Sequence, residues 1–374
     1  MERNLQVFGD GIHDDTDAIQ QLLDCRGTVT LPAGEYLITH PLIIHDDTYF
    51  KLDKMAALRL ADGANCALLD NDGLYERRVN RNITIEGGIW DGNNPAQTRE
   101  YIENENQPCD YDKYIANTLA VFMIRLVHTE RLTVKNVTFK NPTTYAIHIA
   151  NAKHFTVENV FLDYNLNLLN MDGVHIQGPA RFGLIRNIRG NANDDHVALC
   201  ANGTVRSEIT RGDIEDVDID GIYCDNGYTG VRLLSRGDAI RNISIRNIHG
   251  EFRYYAVSFT HHYPLRDDMP ILLENVHVSD LFVSKSRLNT NPRFQGEVDN
   301  GALVWFESGI NCKNAVVENV YRNERNATTM APTVRISEGA NVENLVIRNI
   351  NASFVGEERP TIENLAGAEI RCEK

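Results

Sequence analysis

Three aspartates stand where short polar phrases run into β-rich segments. Asp172 lies in Asn170-Met171-Asp172-Gly173, and Asp194 and Asp195 lie in Asn193-Asp194-Asp195-His196. Each phrase leads into an alternating run, Gly173-Val174-His175-Ile176 and His196-Val197-Ala198-Leu199. If these runs stack in register, Asp172 and Asp195 are one strand spacing apart, roughly 5 Å, with Asp194 beside them. Carboxylates that close cannot all ionise, so at least one should hold its proton to higher pH. A protonated acid beside a charged carboxylate is what glycoside hydrolysis uses, one for the leaving oxygen and one to activate water. The bland alternative is an acidic turn that caps strand ends or holds a calcium ion. Placing Asp172 one coil from the Asp-Asp pair favours catalysis.

Alternation within the runs says what else shares the face. In Ala146-Ile147-His148-Ile149 the isoleucines point inward, so His148 points out. The same register puts His175, Ala198, Arg232, Ser258, Trp305 and Arg335 in one outward column. The neighbouring column holds Ala150, Gln177, Cys200, Leu234, Thr260, Glu307 and Ser337. His148, His175, Arg232, Trp305 and Glu307 are therefore the candidate substrate contacts around the acids. The ligand that suits them is an oligo- or polysaccharide, and no metal or cofactor is implied.

The elements that position these residues come from a repeat. An apolar pair followed by Asn and then Val or Ile recurs at Asn136, Asn159, Asn187, Asn247, Asn275, Asn319 and Asn349, with Asp216 in the Asn place once. Successive spacings are 23, 28, 29, 31, 28, 44 and 30 residues. Two or three short strands per turn of that length predict an all-β fold, a right-handed parallel β-helix. Asn suits a turn that needs left-handed φ, and it can hydrogen-bond to its copy one coil away. The sequons at Asn82, Asn136 and Asn242 are read as part of this ladder. Residues 14–24 predict a short helix capping the N-terminal end of the solenoid. Residues 92–117 and 284–300 read as inserted loops, and the whole of 1–374 as a single domain.

Composition narrows the partners. The chain has 374 residues, 42% hydrophobic, enough to bury a core. Its formal charge of −15 argues against nucleic acid or an anionic membrane as ligand. No segment is long and apolar enough to span a bilayer. Seven cysteines without a CxxC pair make neither a disulfide framework nor a zinc site. The start lacks a signal-peptide core, so the location is cytoplasmic if Met1 is native, and otherwise secreted or periplasmic with a leader removed. Oligomeric state is left open.

Several motifs together resemble a known family. Phe8-Gly9-Asp10-Gly11 with Asp14-Asp15-Thr16-Asp17, then Leu31-Pro32-Ala33-Gly34-Glu35-Tyr36, then Ile83-Thr84-Ile85-Glu86-Gly87, resemble the N-terminal segments of pectin-degrading β-helix enzymes. Asn170-Met171-Asp172-Gly173, Asp194-Asp195 and Gly230-Val231-Arg232-Leu233 are similar, in order, to motifs of the polygalacturonase family, glycoside hydrolase family 28, within the pectate-lyase-like β-helix superfamily. The resemblance implies that Asp194 is the general acid, that Asp172 and Asp195 activate water with inversion, and that Arg232 binds substrate. Two departures stand out. The family's Gly-His-Gly coil has no equivalent, the interval reading Thr210-Arg211-Gly212-Asp213, and its Lys two residues after the Arg is Leu234. Galacturonate is therefore not carried over, and a short, monoanionic or neutral pectic fragment is expected. A polysaccharide lyase and a non-catalytic, phage-tail-type carbohydrate-binding solenoid remain the alternatives.

Overall fold

The computed structural model describes residues 6–98, 122–202, 209–261, 272–287 and 301–373. Its 25 strands join one sheet, and every pairing among the described residues is parallel. Parallel strands joined by continuous turns of a coil make a β-helix, right-handed as parallel crossovers are. Long bent strands such as Ile147–Asp163 and Val174–Gly190 wrap the corners. Shorter ones such as Asp195–Cys200 and Thr229–Leu234 complete the face that carries the acids.

The core is a set of stacked columns. Val134, Val157, Ile185, Ile219, Ile245, Val278, Val317 and Ile347 pair in unbroken register. All are at most 2% exposed. β-Branched side chains suit this pleated interior, and each contributes roughly 1.5–3 kcal/mol when buried.

The turn ladder exists, but as two columns rather than one. Every repeat position has left-handed φ, from Asn136 at 58° to Asn349 at 53°. Strand register aligns Asn136, Asn159, Asn187, Gly221, Asn247, Asp280, Asn319 and Asn349. Asp216 and Asn275 belong instead to a second left-handed column with Asn242, Asn314 and Asn344. Both columns follow an apolar pair, so the sequence pattern merged them. Side-chain amides link successive copies, as Asn187 Nδ2 to Asn159 Oδ1 at 2.6 Å and Asn349 Nδ2 to Asn319 Oδ1 at 3.0 Å.

The N-terminal helix runs over Thr16–Asp24 and buries Ile19 and Leu23 on the solenoid. It starts two residues later than expected because Asp14 still ends the strand Asp10–Asp14, and the N-cap is Asp15, whose carbonyl accepts the Ile19 N–H at 2.9 Å. Its carboxylate accepts the N–H groups of Phe8 at 2.6 Å and Gly9 at 3.0 Å. The expected loops fall mostly outside the described residues, at 99–117 and 288–300.

Candidate active site

The two acid-bearing turns stack as the sequence predicts. Val174 pairs with Val197, and the Gly173 N–H donates to the Asp195 carbonyl at 2.9 Å. A Cβ at Gly173 would lie 2.6 Å from the His196 carbonyl oxygen, so only glycine lets these coils close. The result brings carboxylate oxygens of Asp172, Asp194 and Asp195 within 4.8 Å of one another. Asn193 holds the second turn by donating to the Leu166 and Leu168 carbonyls at 3.0 and 2.6 Å. Arg253 Nη2 in turn donates to Asn193 Oδ1 at 2.7 Å.

The acids differ in enclosure. Side-chain exposure is 4% for Asp172, 5% for Asp195 and 18% for Asp194. Burial pushes the Asp195 carboxyl well above its ordinary range, and the charges of Asp194 and Asp172 add to this while Arg232 opposes it. Arg232 Nε lies 3.1 Å from Asp195 Oδ1, and Nη2 lies 3.7 Å from Asp194 Oδ1. The closer approach is not aligned as a hydrogen bond, so Arg232 acts on Asp195 through its charge alone. The guanidinium therefore lies against the acids, a contact that the outward column alone does not reveal. Its position beside two of the three carboxylates also leaves them poorly suited to a divalent cation, which that positive charge would repel.

The outward column has the expected register: Arg125, His148, His175, Ala198, Arg232, Ser258, Trp305 and Arg335 pair in succession. Its members do not all reach one site. His175 Nδ1 lies 2.9 Å from Asp172 Oδ2, and burial pushes its imidazole down to about 3. The contact is thus a hydrogen bond from a neutral ring, with Nδ1–H donating and Nε2 left as an acceptor. His148 does not qualify as a substrate contact. It is fully buried under Phe122 and Tyr145, with Nε2 2.8 Å from Gln177 Oε1. Burial also holds its imidazole well below the usual range. Trp305 sits two coils beyond Arg232, or about 10 Å at the usual strand spacing. One ring face is covered by Tyr255 at 4.7 Å, and Nε1 donates to Ser337 Oγ at 2.9 Å. Glu307 accepts the His261 N–H at 2.8 Å, further along the same end. Trp305 and Glu307 therefore lie about two coils along the axis from Arg232, outside the acid cluster.

Residues outside the sequence-based set also shape the site. Tyr145 stacks on His175 at 4.2 Å, and Tyr164 donates to the Asp172 carbonyl at 3.1 Å. Tyr228, stacked near Tyr254 at 4.3 Å, has its phenol raised by burial and by the nearby Asp194 charge. Tyr145 and Tyr228 precede their strands and Tyr164 follows one, positions where alternation gives no direction. On the N-terminal side the column is sealed, with Asp70, Arg125 and His148 fully buried. A separate open groove of about 820 Å³, lined by Glu251, Phe282, Tyr321 and Asn351 among others, includes none of the acids.

Residues 76–247, which contain all three acids and Arg232, match the sequence model of glycosyl hydrolases family 28. The resemblance is to family 28. Structural likeness agrees at the level of the fold. The endo-xylogalacturonan hydrolase of Aspergillus tubingensis superposes with a TM-score of 0.60 at 15% identity, over 95% of this chain and 98% of that one. The family 28 exopolygalacturonase of Yersinia enterocolitica gives 0.58 at 16% identity, over 97% and 77%. A curated relative is of another kind. Plasmin and fibronectin-binding protein A of Streptococcus pneumoniae is 31% identical over 171 residues, 41% of this chain. The match takes in only 22% of that protein's length. The structural neighbours are of several kinds, since PfbA, a surface adhesin of Streptococcus pneumoniae, also superposes with a TM-score of 0.58 at 16% identity, over 96% of this chain and 89% of that one.

Proposed function

We propose that this chain is a glycoside hydrolase acting on a pectic or related oligo- or polysaccharide. The observation that carries the reading is the cluster of Asp172, Asp194 and Asp195 within 4.8 Å, tied to His175 and Arg232 on the segment similar to family 28. Asp194, the most open of the three, is assigned as the acid that protonates the leaving oxygen. Asp172 and Asp195 hold the attacking water, with His175 fixing Asp172 through its hydrogen bond. Burial favours a proton on Asp195; passing that proton to Asp194 would arm the acid and leave Asp195 charged for the water. Inversion rests on the family likeness alone. Work on polysaccharide favours the secreted alternative for location, and no described helix is long and apolar enough to cross a membrane.

A second reading, a non-catalytic binding protein, is favoured by the adhesin relative. Aryl glycosides separate the two and test the acid assignment. Asp194→Asn should lose activity on a poor leaving group and regain much of it on a dinitrophenyl leaving group, which needs no protonation. Rescue of Asp195→Asn instead would move the acid role to Asp195. No release from wild-type protein on any glycan or aryl glycoside would favour the binding reading.

A further inference from the structure

The charge around the triad bears on what sugar can lie there. Arg232 faces Asp195 at 3.1 Å and Asp194 at 3.7 Å, so its charge is already shared between protein carboxylates. With one proton on the three acids, the cluster carries −2; Arg232, and Arg253, which is held on Asn193 and feels the Asp194 charge, bring the sum to zero. At the position two residues on, where a lysine could have met a sugar carboxylate, Leu234 is only 6% exposed. Other cations of the described column are also engaged. Arg125 is bidentate to Asp70 at 2.7 and 2.5 Å, and Arg335 pairs with Glu363 three coils past Arg232. Lys285 Nζ donates to the Tyr254 and Gly301 carbonyls at 2.6 and 3.0 Å. His175 is neutral by its burial and offers a lone pair, and Tyr228 a phenol. A uronate placed here would leave one unbalanced negative charge in an enclosed site, or would have to draw Arg232 off Asp195 or Arg253 off Asn193. Hydroxyl groups meet no such penalty, since carboxylate, imidazole and phenol all pair with them.

We propose that the sugar residue bound across Asp172, Asp194 and Asp195 is uncharged, presenting hydroxyls where a pectic uronate would present a carboxylate. The inference rests on the triad being the sugar-binding site of the proposed hydrolase. It narrows the substrate to a neutral glycan, or to a neutral residue within an acidic one.

The test uses wild-type protein and matched ligands. Galacturonate-, glucuronate- and mannuronate-based trisaccharides are each compared with the carboxyl-reduced partner, which keeps every linkage and replaces only COO⁻ by CH2OH. Ligand-observed NMR at about 150 mM salt reads affinity and cleavage in the same tube. At least one reduced trisaccharide should bind ten-fold or more tightly than its acidic parent, and Asp172→Asn should change that binding. Equal or tighter binding of the acidic member in every pair that binds would overturn the proposal, as would failure of all three reduced ligands to bind. Preferential binding of a reduced ligand without cleavage of any glycan would uphold the neutral site and remove the hydrolase reading instead.

Discussion

Replacing Arg232 by Gln should destabilise the protein in a way that depends on pH, because the guanidinium compensates a buried carboxyl. Arg232 Nε and Asp195 Oδ1 are 3.1 Å apart, which at an effective dielectric of 20 is an interaction of about 5 kcal/mol. Breaking a buried pair by removing one partner typically costs about 3–5 kcal/mol. The contact is not aligned as a hydrogen bond, so the lower part of that range applies. At about 2.1 cal/mol/K per residue, a chain of 374 residues has an unfolding entropy near 0.8 kcal/mol/K. The midpoint near pH 8 should then fall by about 4–5 °C. The sign with pH follows from Asp195, whose folded pKa is raised. Its contribution to stability is full below the unfolded value near 4 and is lost as pH rises through the folded value. Removing Arg232 lifts that folded value further, by about 1–3 units. The deficit of Arg232→Gln should therefore shrink as pH falls towards 4, where Asp195 is protonated. The assay is thermal unfolding followed by circular dichroism from pH 4 to 8, with Arg232→Gln/Asp195→Asn as the companion. A deficit that is flat with pH, or no recovery in the double variant, would refute the argument.

Three further outcomes are expected. Asp172→Asn and Asp194→Asn should each lower kcat at least about a hundredfold, while circular dichroism shows midpoints within about 2 °C of wild type. His148, His175 and His196 are buried with imidazoles held below the usual range. The unfolded chain therefore takes up protons near pH 6.5 that the folded chain refuses, and stability should fall as pH drops below that point. NMR should show no titration of His175 between pH 5 and 8, and His175→Gln should flatten the fall. Asn187 at φ 57° predicts that Asn187→Ala costs about 1–2 kcal/mol by chemical denaturation and Asn187→Gly less; equal costs would remove the backbone explanation.

Most of the fold and part of the site could be read from the residues. Alternation in Ala146-Ile147-His148-Ile149 and its copies gave the outward column in the register found, because parallel coils leave no freedom to slip once one face is buried. The clustering of Asp172 with Asp194 and Asp195 followed from the same stacking. What alternation cannot report is cover. His148 does point out of the solenoid, yet Phe122 and Tyr145, from the approach to their strands, bury it. Nor does a column show how far along the axis a ligand extends, so Trp305 and Glu307 were grouped with acids several coils away. Nor does it show that Arg232 lies against Asp194 and Asp195, because those acids belong to the neighbouring coil. Two turn columns five residues apart, both entered from apolar pairs, were read as one ladder at Asp216 and Asn275 for lack of any local difference.

The central claim is that the three acids add water across a glycosidic bond, and incubation of wild-type protein with a glycan panel in H2¹⁸O tests it most directly. Mass spectrometry of the products should show one ¹⁸O per cleavage, at the new anomeric carbon, absent with Asp194→Asn. Unsaturated products without ¹⁸O would assign elimination to the site, and an unchanged panel would contradict the account.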